Sequence, residues 1–413
     1  MARDGEGPAE EYGAHRGRRG ARPARRAERA CREYVSDEQH SPAGCIGGHN
    51  VHLILLLSLT VAMSDLTQAW PRPTRPRPIV IIGAGGIVRA AHLPTYRALG
   101  FRVAGIHDVR ADVARSTADA FAVDAVFPTL AAATTVRDAV YDLAVPGDQI
   151  LGILADLPRG AAVLMQKPMG PDLAAAAAIR ACCRARELTA AVNFQLRFSP
   201  NVLALRDLLA RDALGPIVDI EVRIVIDQPW HLWSFLESAP RLEVPYHSIH
   251  YLDAIRWLVG DPDGVYCRVV RHPALPAFTD TRSSIILDYG DRLRCSLTLN
   301  HTHRAGPRYR SSQIVVEGVR GAARLTWGVN LDYPAGPADT MEVACDGDWG
   351  DVPLRGSWFI EAFEGPMSNL QRFVAGEDPV LVSAVDDAMR TMAVVEACYT
   401  SSGGGGTPVP ASG

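Results

Sequence analysis

A short apolar run that leads directly into a glycine cluster constrains the fold of this 413-residue chain more than any other feature. Residues 79–82 favour a β-strand, the cluster follows at once, and residues 89–100 have a helical composition. A strand, a tight glycine turn and a helix together favour a pyrophosphate at the N-terminus of the helix. Val88 stands where the dinucleotide-binding pattern has Gly or Ala, so the match is imperfect. The predicted phosphate site comprises Gly83, Gly85, Gly86 and Ile87.

A carboxylate follows the glycine cluster at the distance that a dinucleotide site requires. Residues 102–107 form a second apolar run that ends at Asp108, close to the spacing of about 20 residues expected for an acid that binds the adenosine ribose. This carboxylate accepts hydrogen bonds from ribose hydroxyls and repels a 2′-phosphate, which favours NAD, while Arg110 leaves NADP open. Asp108 can also cap the predicted helix 111–120, and one side chain can serve both roles.

Predicted strands and helices alternate beyond Asp108. Apolar runs near residues 125–127, 139–145, 161–165 and 189–193 are separated by helical segments. This alternation predicts a parallel, doubly wound Rossmann sheet over residues 78–193. Ligands of such sheets bind beyond the carboxyl ends of the strands. The predicted cofactor site therefore includes the residues at those ends: Val145, Pro146, Gln166, Lys167 and Asn193.

Residues 1–77 differ in composition from the rest. Residues 1–40 are rich in Arg, Gly and Pro, as in disordered segments, and residues 51–63 form an apolar run too short to span a bilayer. We interpret residues 1–62 as an over-extended reading frame upstream of Met63; a disordered extension and an export signal are the alternatives. The proline-rich lead-in that follows, residues 70–78, excludes a helix or a central strand.

Composition narrows the function classes. The net charge of −4 gives no argument for a nucleic-acid or membrane partner, and 47% hydrophobic residues support sizeable cores. The eight cysteines show no Cys-x-x-Cys pair and no regular spacing. They indicate reduced thiols in a cytoplasmic protein, without a disulfide framework or a zinc site.

Lys167 follows a predicted central strand, which Pro168 stops. A lysine at this strand end points towards the nicotinamide end of a dinucleotide laid across the sheet. If it is partly buried, it can hydrogen-bond a substrate hydroxyl and favour the alkoxide. The alternative is a surface lysine after a strand.

Motifs in a fixed order resemble those of the Gfo/Idh/MocA family of oxidoreductases, over roughly residues 78 to 400. The motifs are the glycine turn, His92-Leu93-Pro94, Asp108, Gln166-Lys167-Pro168 and the segment from Asn193 to Pro200. The family usually has Glu at the position of Gln166, so a charge beside Lys167 is missing here. Arg197, within the last motif, is predicted to contact substrate.

The resemblance implies a Rossmann domain followed by an α+β substrate-binding domain with a large, mostly antiparallel sheet. The second half of the chain fits this, since β-favouring runs and turn residues alternate there. We predict this domain over residues 194–401 and a flexible tail over residues 402–413. The runs lie at residues 218–226, 264–270, 283–287, 292–299, 312–317 and 322–327.

The segment from Tyr246 to Gly260 is predicted to be an amphipathic helix. His247, His250 and Asp253 are three residues apart and share one face. In the family, a helix here carries a His that acts on the reacting hydroxyl and an Asp four residues before it. The resemblance implies His250 as that base, and Tyr246 stands in place of the Asp, so Tyr246 or His247 can take over part of its role. His247 and Asp253 are also predicted to bind substrate, and because no third ligand is evident by spacing, no metal site is expected.

Further candidates flank this helix. Trp230 and Trp233 suit the C–H faces of a sugar or cyclitol, although core or interface packing explains them equally well. A cluster of basic residues also lies between two predicted strands. We interpret it as a solvated loop; the alternative is that it binds an acidic group of a substrate. The cluster contains His301, His303, Arg304, Arg308 and Arg310.

These features predict an NAD(P)-dependent oxidoreductase that transfers hydride between nicotinamide and a hydroxyl or keto carbon of a sugar, cyclitol or related polyol. Two alternatives stay open: an NAD-dependent glycosidase of the same family, and a regulator that binds dinucleotide without turnover. The resemblance also implies a homodimer or homotetramer.

Overall fold

The computed structural model describes residues 63–345 and 347–410. The interpretations of residues 1–62 lie outside this part of the chain. Two β-sheets, one in each half of the described chain, organise the molecule.

A parallel sheet of five strands forms the first half. Its strands are β1 Ile79–Ile82, β2 Val103–His107, β3 Val140–Leu143, β4 Ala162–Met165 and β5 Thr189–Val192, in the order β2-β1-β3-β4-β5. The predicted strand at residues 125–127 is reduced to one parallel bridge between Ile106 and Val126. The chain leaves β1 for β2 on one side and returns to β3 on the other. The carboxyl ends of β1 and β3 therefore flank the crevice in which such sheets bind ligands.

Helices cover both faces of this sheet. They are α1 Leu93–Leu99, which a π-helical turn Val88–His92 precedes, α2 Ala111–Phe121, α3 Leu130–Ala133, α4 Ile150–Asp156 and α5 Leu173–Ala185. Neighbouring residues of each strand enter different cores: Val80 and Tyr141 lie in one core, Ile79 and Val140 in the other. Burial of both faces explains the continuously apolar strands and confirms the doubly wound sheet.

The second sheet has eight strands and is antiparallel except for the pair β6 and β9. This confirms the large, mostly antiparallel sheet, and β12 and β13 extend it beyond the predicted runs. The strands are β6 Ile217–Val225, β7 Gly264–Val270, β8 Arg282–Asp288, β9 Arg294–Asn300, β10 Ser311–Gly318, β11 Gly321–Thr326, β12 Thr340–Cys345 and β13 Asp348–Asp351, in the order β13-β12-β11-β10-β6-β9-β8-β7.

Helices of the second half also return to the first sheet. These helices are α6 Pro200–Ala210, α7 Ile249–Val259, α8 Glu364–Val374 and α9 Val385–Gly404. Met367 and Leu370 of α8 are buried in the same core as Ile79. The N–H of Val192 in β5 donates to the carbonyl of Ser383 at 2.9 Å. Residues far beyond the predicted boundary at 193 thus pack on the first sheet and bond its edge strand β5.

Residues near both ends of the described chain contact the body of the protein. Helix α9 continues to Gly404, and Ser402 is buried and accepts a hydrogen bond from the N–H of Val269 at 3.1 Å. The predicted tail therefore does not begin at residue 402. At the other end, Trp70 Nε1 donates to Asp378 Oδ2 at 2.8 Å, and residues 70–78 form neither helix nor strand. None of the described helices combines the length and the hydropathy that crossing a membrane requires.

Candidate active site

Gly83 ends β1 in a backbone conformation that favours glycine. Its φ is +97°, and a Cβ there would lie 2.3 Å from the carbonyl oxygen of Ala144, just beyond β3. In contrast, no protein atom beyond the immediate chain lies within 4 Å of the position that a Cβ would take at Gly85 or Gly86. One glycine makes the turn and the next two face open space, which fits a loop that approaches a pyrophosphate.

Val88, the departure from the pattern, begins the π-helical turn and is fully buried in the core that contains Ile79 and Val140. The larger side chain is therefore accommodated between helix and sheet. Ile87, which precedes it, is half-buried.

Asp108 follows β2 and ties it to the glycine turn. Its Oδ2 accepts the N–H of Ala84 at 2.8 Å, and its Oδ1 accepts the N–H of Arg110 at 2.9 Å. Arg110 occupies the N-cap position of α2, so Asp108 does not cap that helix. Each carboxylate oxygen keeps a second lone pair for a ribose hydroxyl.

A buried chain of polar side chains connects β3, β4 and β5. His92 Nδ1 lies 2.7 Å from Asp142 Oδ2, which also accepts the Tyr96 hydroxyl at 2.8 Å. On its other edge, His92 Nε2 lies 2.8 Å from Gln166 Nε2 and 3.4 Å from Asn193 Nδ2. These contacts suit an imidazole that donates to Asp142 through Nδ1 and accepts from the two amides through Nε2.

This chain of hydrogen bonds accounts for the amide at position 166. Gln166 donates to His92 and accepts the backbone N–H of Lys167 at 3.3 Å. A carboxylate in its place has no proton to donate, so His92 would have to carry a second proton to keep the contact. Gln166 therefore holds the strand end from which Lys167 projects without adding a charge.

Lys167 is the only lysine among the 413 residues. Its side chain is half-buried, and Nζ donates to the carbonyl oxygen of Tyr246 at 2.8 Å. Burial lowers the pKa of this amine to about 7. An arginine cannot lose its proton in this way, since the guanidinium stays charged in proteins. Lys167 is therefore not the exposed lysine of the alternative interpretation.

Two histidines, His247 and His250, lie near Lys167. His247 belongs to a π-helical segment, Glu243–Ser248, and His250 belongs to helix α7, which ends before Gly260 as predicted. Burial, together with the charge of Lys167, lowers the pKa of His247 and of His250 well below the usual value, and His301 contributes to both shifts. Both imidazoles are neutral at neutral pH and can accept a proton.

Tyr246 carries its hydroxyl in the same region. Its side chain is half-buried, and burial raises the pKa of the phenol. Among the residues at the other strand ends, Val145 is half-buried, Pro146 is exposed and Asn193 is buried.

The structure corrects the predicted substrate contacts of Arg197 and Asp253. Arg197 Nε and Nη2 each lie 2.5 Å from an oxygen of Asp253, and Nη2 lies 2.6 Å from Asp387. Asp253 also accepts the Thr391 hydroxyl at 2.7 Å. Both side chains of the pair are 1% exposed. These contacts join α7 to α9 and to the segment before α6. Because the buried charges of Arg197 and Asp253 are paired with each other, neither side chain is open to a ligand.

Trp230 packs directly on one of the histidines. Its ring meets His247 edge-on with centroids 5.3 Å apart, and Phe278 lies on it at 4.7 Å. Trp233 is half-buried and lies 5.6 Å from the ring of Tyr333. Trp230 forms a small core with Leu236, Leu242 and Phe278, and Trp233 packs against it, so packing accounts for much of both side chains.

His301 and Glu243 join this site, although the sequence placed His301 in a cluster interpreted as a solvated loop and did not single out Glu243. His301 is 2% exposed, whereas its neighbours Arg304 and Arg308 are exposed as the solvated-loop interpretation expects. Its Nδ1 lies 3.0 Å from Glu243 Oε2. The alternation of buried residues along β9 contained the signal, since Cys295, Leu297 and Leu299 are all buried and position 301 continues their period of two.

Two family models match the chain. The model described as "Oxidoreductase family, NAD-binding Rossmann fold" matches residues 77–194, and the model described as "GFO/IDH/MocA C-terminal domain" matches residues 202–324. Together they span more than half of the chain. The fold and the matched residues define an NAD-binding oxidoreductase, and the chain belongs to the Gfo/Idh/MocA family.

Individual relatives agree with this assignment. A D-apiose dehydrogenase of Paraburkholderia graminis is 25% identical over 342 residues, which are 79% of this chain and 88% of the relative. A D-apiose dehydrogenase of Rhizobium rhizogenes is 23% identical over 261 residues, 59% of this chain and 71% of the relative. The structure of an oxidoreductase from Agrobacterium radiobacter in complex with NAD+, L-tartaric acid and magnesium superposes with a TM-score of 0.69 at 18% identity, covering 80% of this chain and 97% of that one.

Proposed function

We propose that this enzyme is an NAD-dependent dehydrogenase that oxidises a hydroxyl group of a sugar or related polyol. The proximity of Lys167 to His250 and His247, near the carboxyl end of a central strand of an NAD-binding sheet, carries the proposal. The two relatives named D-apiose dehydrogenase support a sugar as the substrate class.

The residues at the strand ends suit the cofactor. The backbone of Gly83, Gly85, Gly86 and Ile87 would hold the pyrophosphate, and Asp108 the adenosine ribose. The carboxylate favours NAD over NADP, because a 2′-phosphate would meet its negative charge. The remaining residues proposed for the cofactor site are Val145, Pro146, Gln166 and Asn193. Bound NAD+ supplies the hydride acceptor.

The protein's own residues handle the proton. His250, neutral and half-buried, accepts the proton of the substrate hydroxyl. Lys167 hydrogen-bonds the hydroxyl oxygen and stabilises the negative charge that develops on it. Tyr246 and His247 support this proton transfer, and Trp230 and Trp233 offer aromatic faces to the C–H groups of a sugar.

Absorbance of NADH tests this proposal. NAD+ reduction is measured with D-apiose, other pentoses, hexoses and inositols, on the wild type and on Lys167→Ala, with the surface variant Arg159→Ala as a control. We expect turnover with at least one sugar, lost in Lys167→Ala and kept in the control. NAD that stays bound while a glycoside is hydrolysed would support the glycosidase instead. Binding of NAD without any turnover would support the regulator.

We also propose a homodimer or homotetramer that works in the cytoplasm. Tyr266 and Ile286 are cross-strand neighbours on β7 and β8, and they are 61% and 51% exposed. An apolar pair of this size on an outer sheet face favours contact with a second copy. The free thiols of Cys182, Cys183 and Cys398 favour a reducing compartment.

A further inference from the structure

We infer that Glu243, His247 and His301 form a binding site for a divalent transition-metal ion such as Zn²⁺. One ligand atom from each residue, a carboxylate oxygen and two imidazole nitrogens, lies within 4.8 Å of the other two. Two imidazoles and one carboxylate are a ligand set of Zn²⁺ and related metals that leaves coordination positions open. The inference goes beyond the proposed function, which uses no metal, and an ion bound to His247 would leave the proton transfer to His250 and Tyr246.

The distances fit a site that is almost formed. Glu243 Oε2 lies 3.0 Å from His301 Nδ1 and 4.0 Å from His247 Nδ1. Ligand bonds of about 2.0–2.1 Å in a tetrahedral site place ligand atoms about 3.3 Å apart. The two observed distances lie on either side of this value, and all three ligand atoms lie within 4.8 Å of one another, so rotations of the side chains would bring them to the distances of a bound ion.

Burial and bonding also favour a cation here. Glu243 is fully buried, and among the described residues no lysine or arginine forms an ion pair with its carboxylate, which lies 3.0 Å and 4.0 Å from the two imidazoles. Nδ1 of His247 is also buried, and it has no hydrogen-bond partner among the residues that the structure describes. A buried carboxylate and an unpartnered nitrogen both cost free energy. A metal ion between them would offset the charge and engage the nitrogen.

The surrounding residues fix the ligands in place. Ser248 Oγ donates to Glu243 Oε1 at 3.0 Å, which leaves Oε2 for the histidines. Asp280 Oδ1 accepts the backbone N–H of Glu243 at 2.5 Å. The rings of His247 and His301 are stacked, with centroids 4.3 Å apart and planes tilted by 26°. Such contacts orient first-sphere ligands before a metal arrives.

The expectation of no metal site from sequence spacing is therefore replaced by this proposal. The chain spacing of His247 and His250 offered no third ligand, and His250 is not part of the set. The site instead combines two residues of the π-helical segment with His301, which lies just beyond β9. The charge of Lys167 acts on His247, so the site adjoins the proposed catalytic groups.

Metal titration of the full chain tests the proposal. Protein stripped with a chelator is titrated with Zn²⁺, Co²⁺ and Mg²⁺ by calorimetry, and the Co²⁺ form is examined by visible absorption. We expect one tight Zn²⁺ site, d–d bands of four- or five-coordinate Co²⁺, and no comparable binding of Mg²⁺, which prefers oxygen ligands. Glu243→Gln and His301→Asn should each weaken Zn²⁺ binding at least about 100-fold. The exposed His231→Gln is the matched control and should bind like the wild type.

The variants matter because the chain has 12 histidines, several of which could bind zinc elsewhere. Circular dichroism checks that each variant is folded. X-ray absorption of the zinc-loaded wild type needs no variant and should show two imidazoles with oxygen ligands. Absence of a tight site in the wild type, or equal affinity in a folded His301→Asn, would overturn the proposal and leave Glu243 and His301 as a hydrogen-bonded pair.

Discussion

Lys167 stands out among the individual residues, because a chain that otherwise uses only arginine as its strongly basic side chain has a lysine at this one position. The amine can exist with or without its proton near neutral pH, and a guanidinium cannot. That property suits a group that hydrogen-bonds a substrate oxygen whose charge changes during the reaction.

The single lysine makes its pKa directly measurable. Protein labelled with ¹³C-lysine should show one Cε resonance whose shift titrates with a pKa of about 7. Chelator-treated protein is used so that no metal charge contributes. In denaturant the same resonance should titrate near 10.4, the ordinary lysine value. A folded-state pKa above 9 would contradict the burial argument.

Lys167→Met should strongly reduce activity and stabilise the fold. Burial disfavours the charged amine, so the folded state of the wild type binds this proton more weakly than the unfolded state does. The cost is full below about pH 7, decreases as the pH rises, and vanishes above about pH 10.4. We expect the variant to gain about 1–4 kcal/mol in the free energy of unfolding near pH 6.5, and nothing above pH 10.5.

Denaturant unfolding at both pH values checks the gain in stability, and NADH absorbance should show a loss of about 10²–10³ in kcat/KM. Equal stability of variant and wild type at both pH values would show that the amine carries no burial cost.

Among the structural elements, the glycine turn after β1 has two roles. Gly83 makes the turn itself, and Gly85 leaves space beside the backbone for a ligand. Gly83→Ala places a Cβ against the Ala144 carbonyl at positive φ, and it should cost about 2 kcal/mol or more of folding free energy. Gly85→Ala meets no protein atom, so it should melt like the wild type and bind NAD at least about tenfold more weakly. Calorimetric melting and NAD titration measure the two effects. Gly152→Ala, in helix α4 with open space around it, is the control.

The pair between Arg197 and Asp253 is predicted to act on stability. Asp253→Asn leaves the Arg197 charge buried with only Asp387 to balance it, so unfolding should become easier by about 3–5 kcal/mol. Glu187→Gln, in the exposed pair with Arg159, should change stability by less than about 1 kcal/mol. Denaturant midpoints compare the two variants. Normal stability of Asp253→Asn, with a raised KM for the sugar, would restore the predicted substrate contact.

For the whole molecule, the outer face of the second sheet determines the proposed assembly. Ile286→Lys replaces one member of the exposed apolar pair, next to Tyr266, with a charged side chain. The oligomer should then dissociate toward monomers, which light scattering measures. Val319→Lys, at a position at least as exposed but outside the sheet face, should leave the mass unchanged. A wild type that is monomeric at micromolar concentration would contradict the oligomer.

The sequence and the structure agree where the determining interactions are local. The glycine turn, Asp108 and the strand ends follow from short-range steric and hydrogen-bonding rules, and the continuously apolar strands indicate a sheet covered on both faces. The alternation of buried and more exposed residues along β9, continued to position 301, also indicates that His301 is buried. The return of α8 to the first core was not predictable, because no local pattern in residues 364–374 states which sheet they cover.

The order of the two sheets, the glycine turn after β1 and the single lysine at a strand end could be predicted from the sequence, because each rests on residues close together in the chain. Which charged residues pair with one another in the interior depends on the three-dimensional packing. Arg197 binds Asp253 across 56 residues, while Glu243 meets His301 across 58. A buried charge requires a partner, and the packing of elements distant in the sequence decides which residue that partner is.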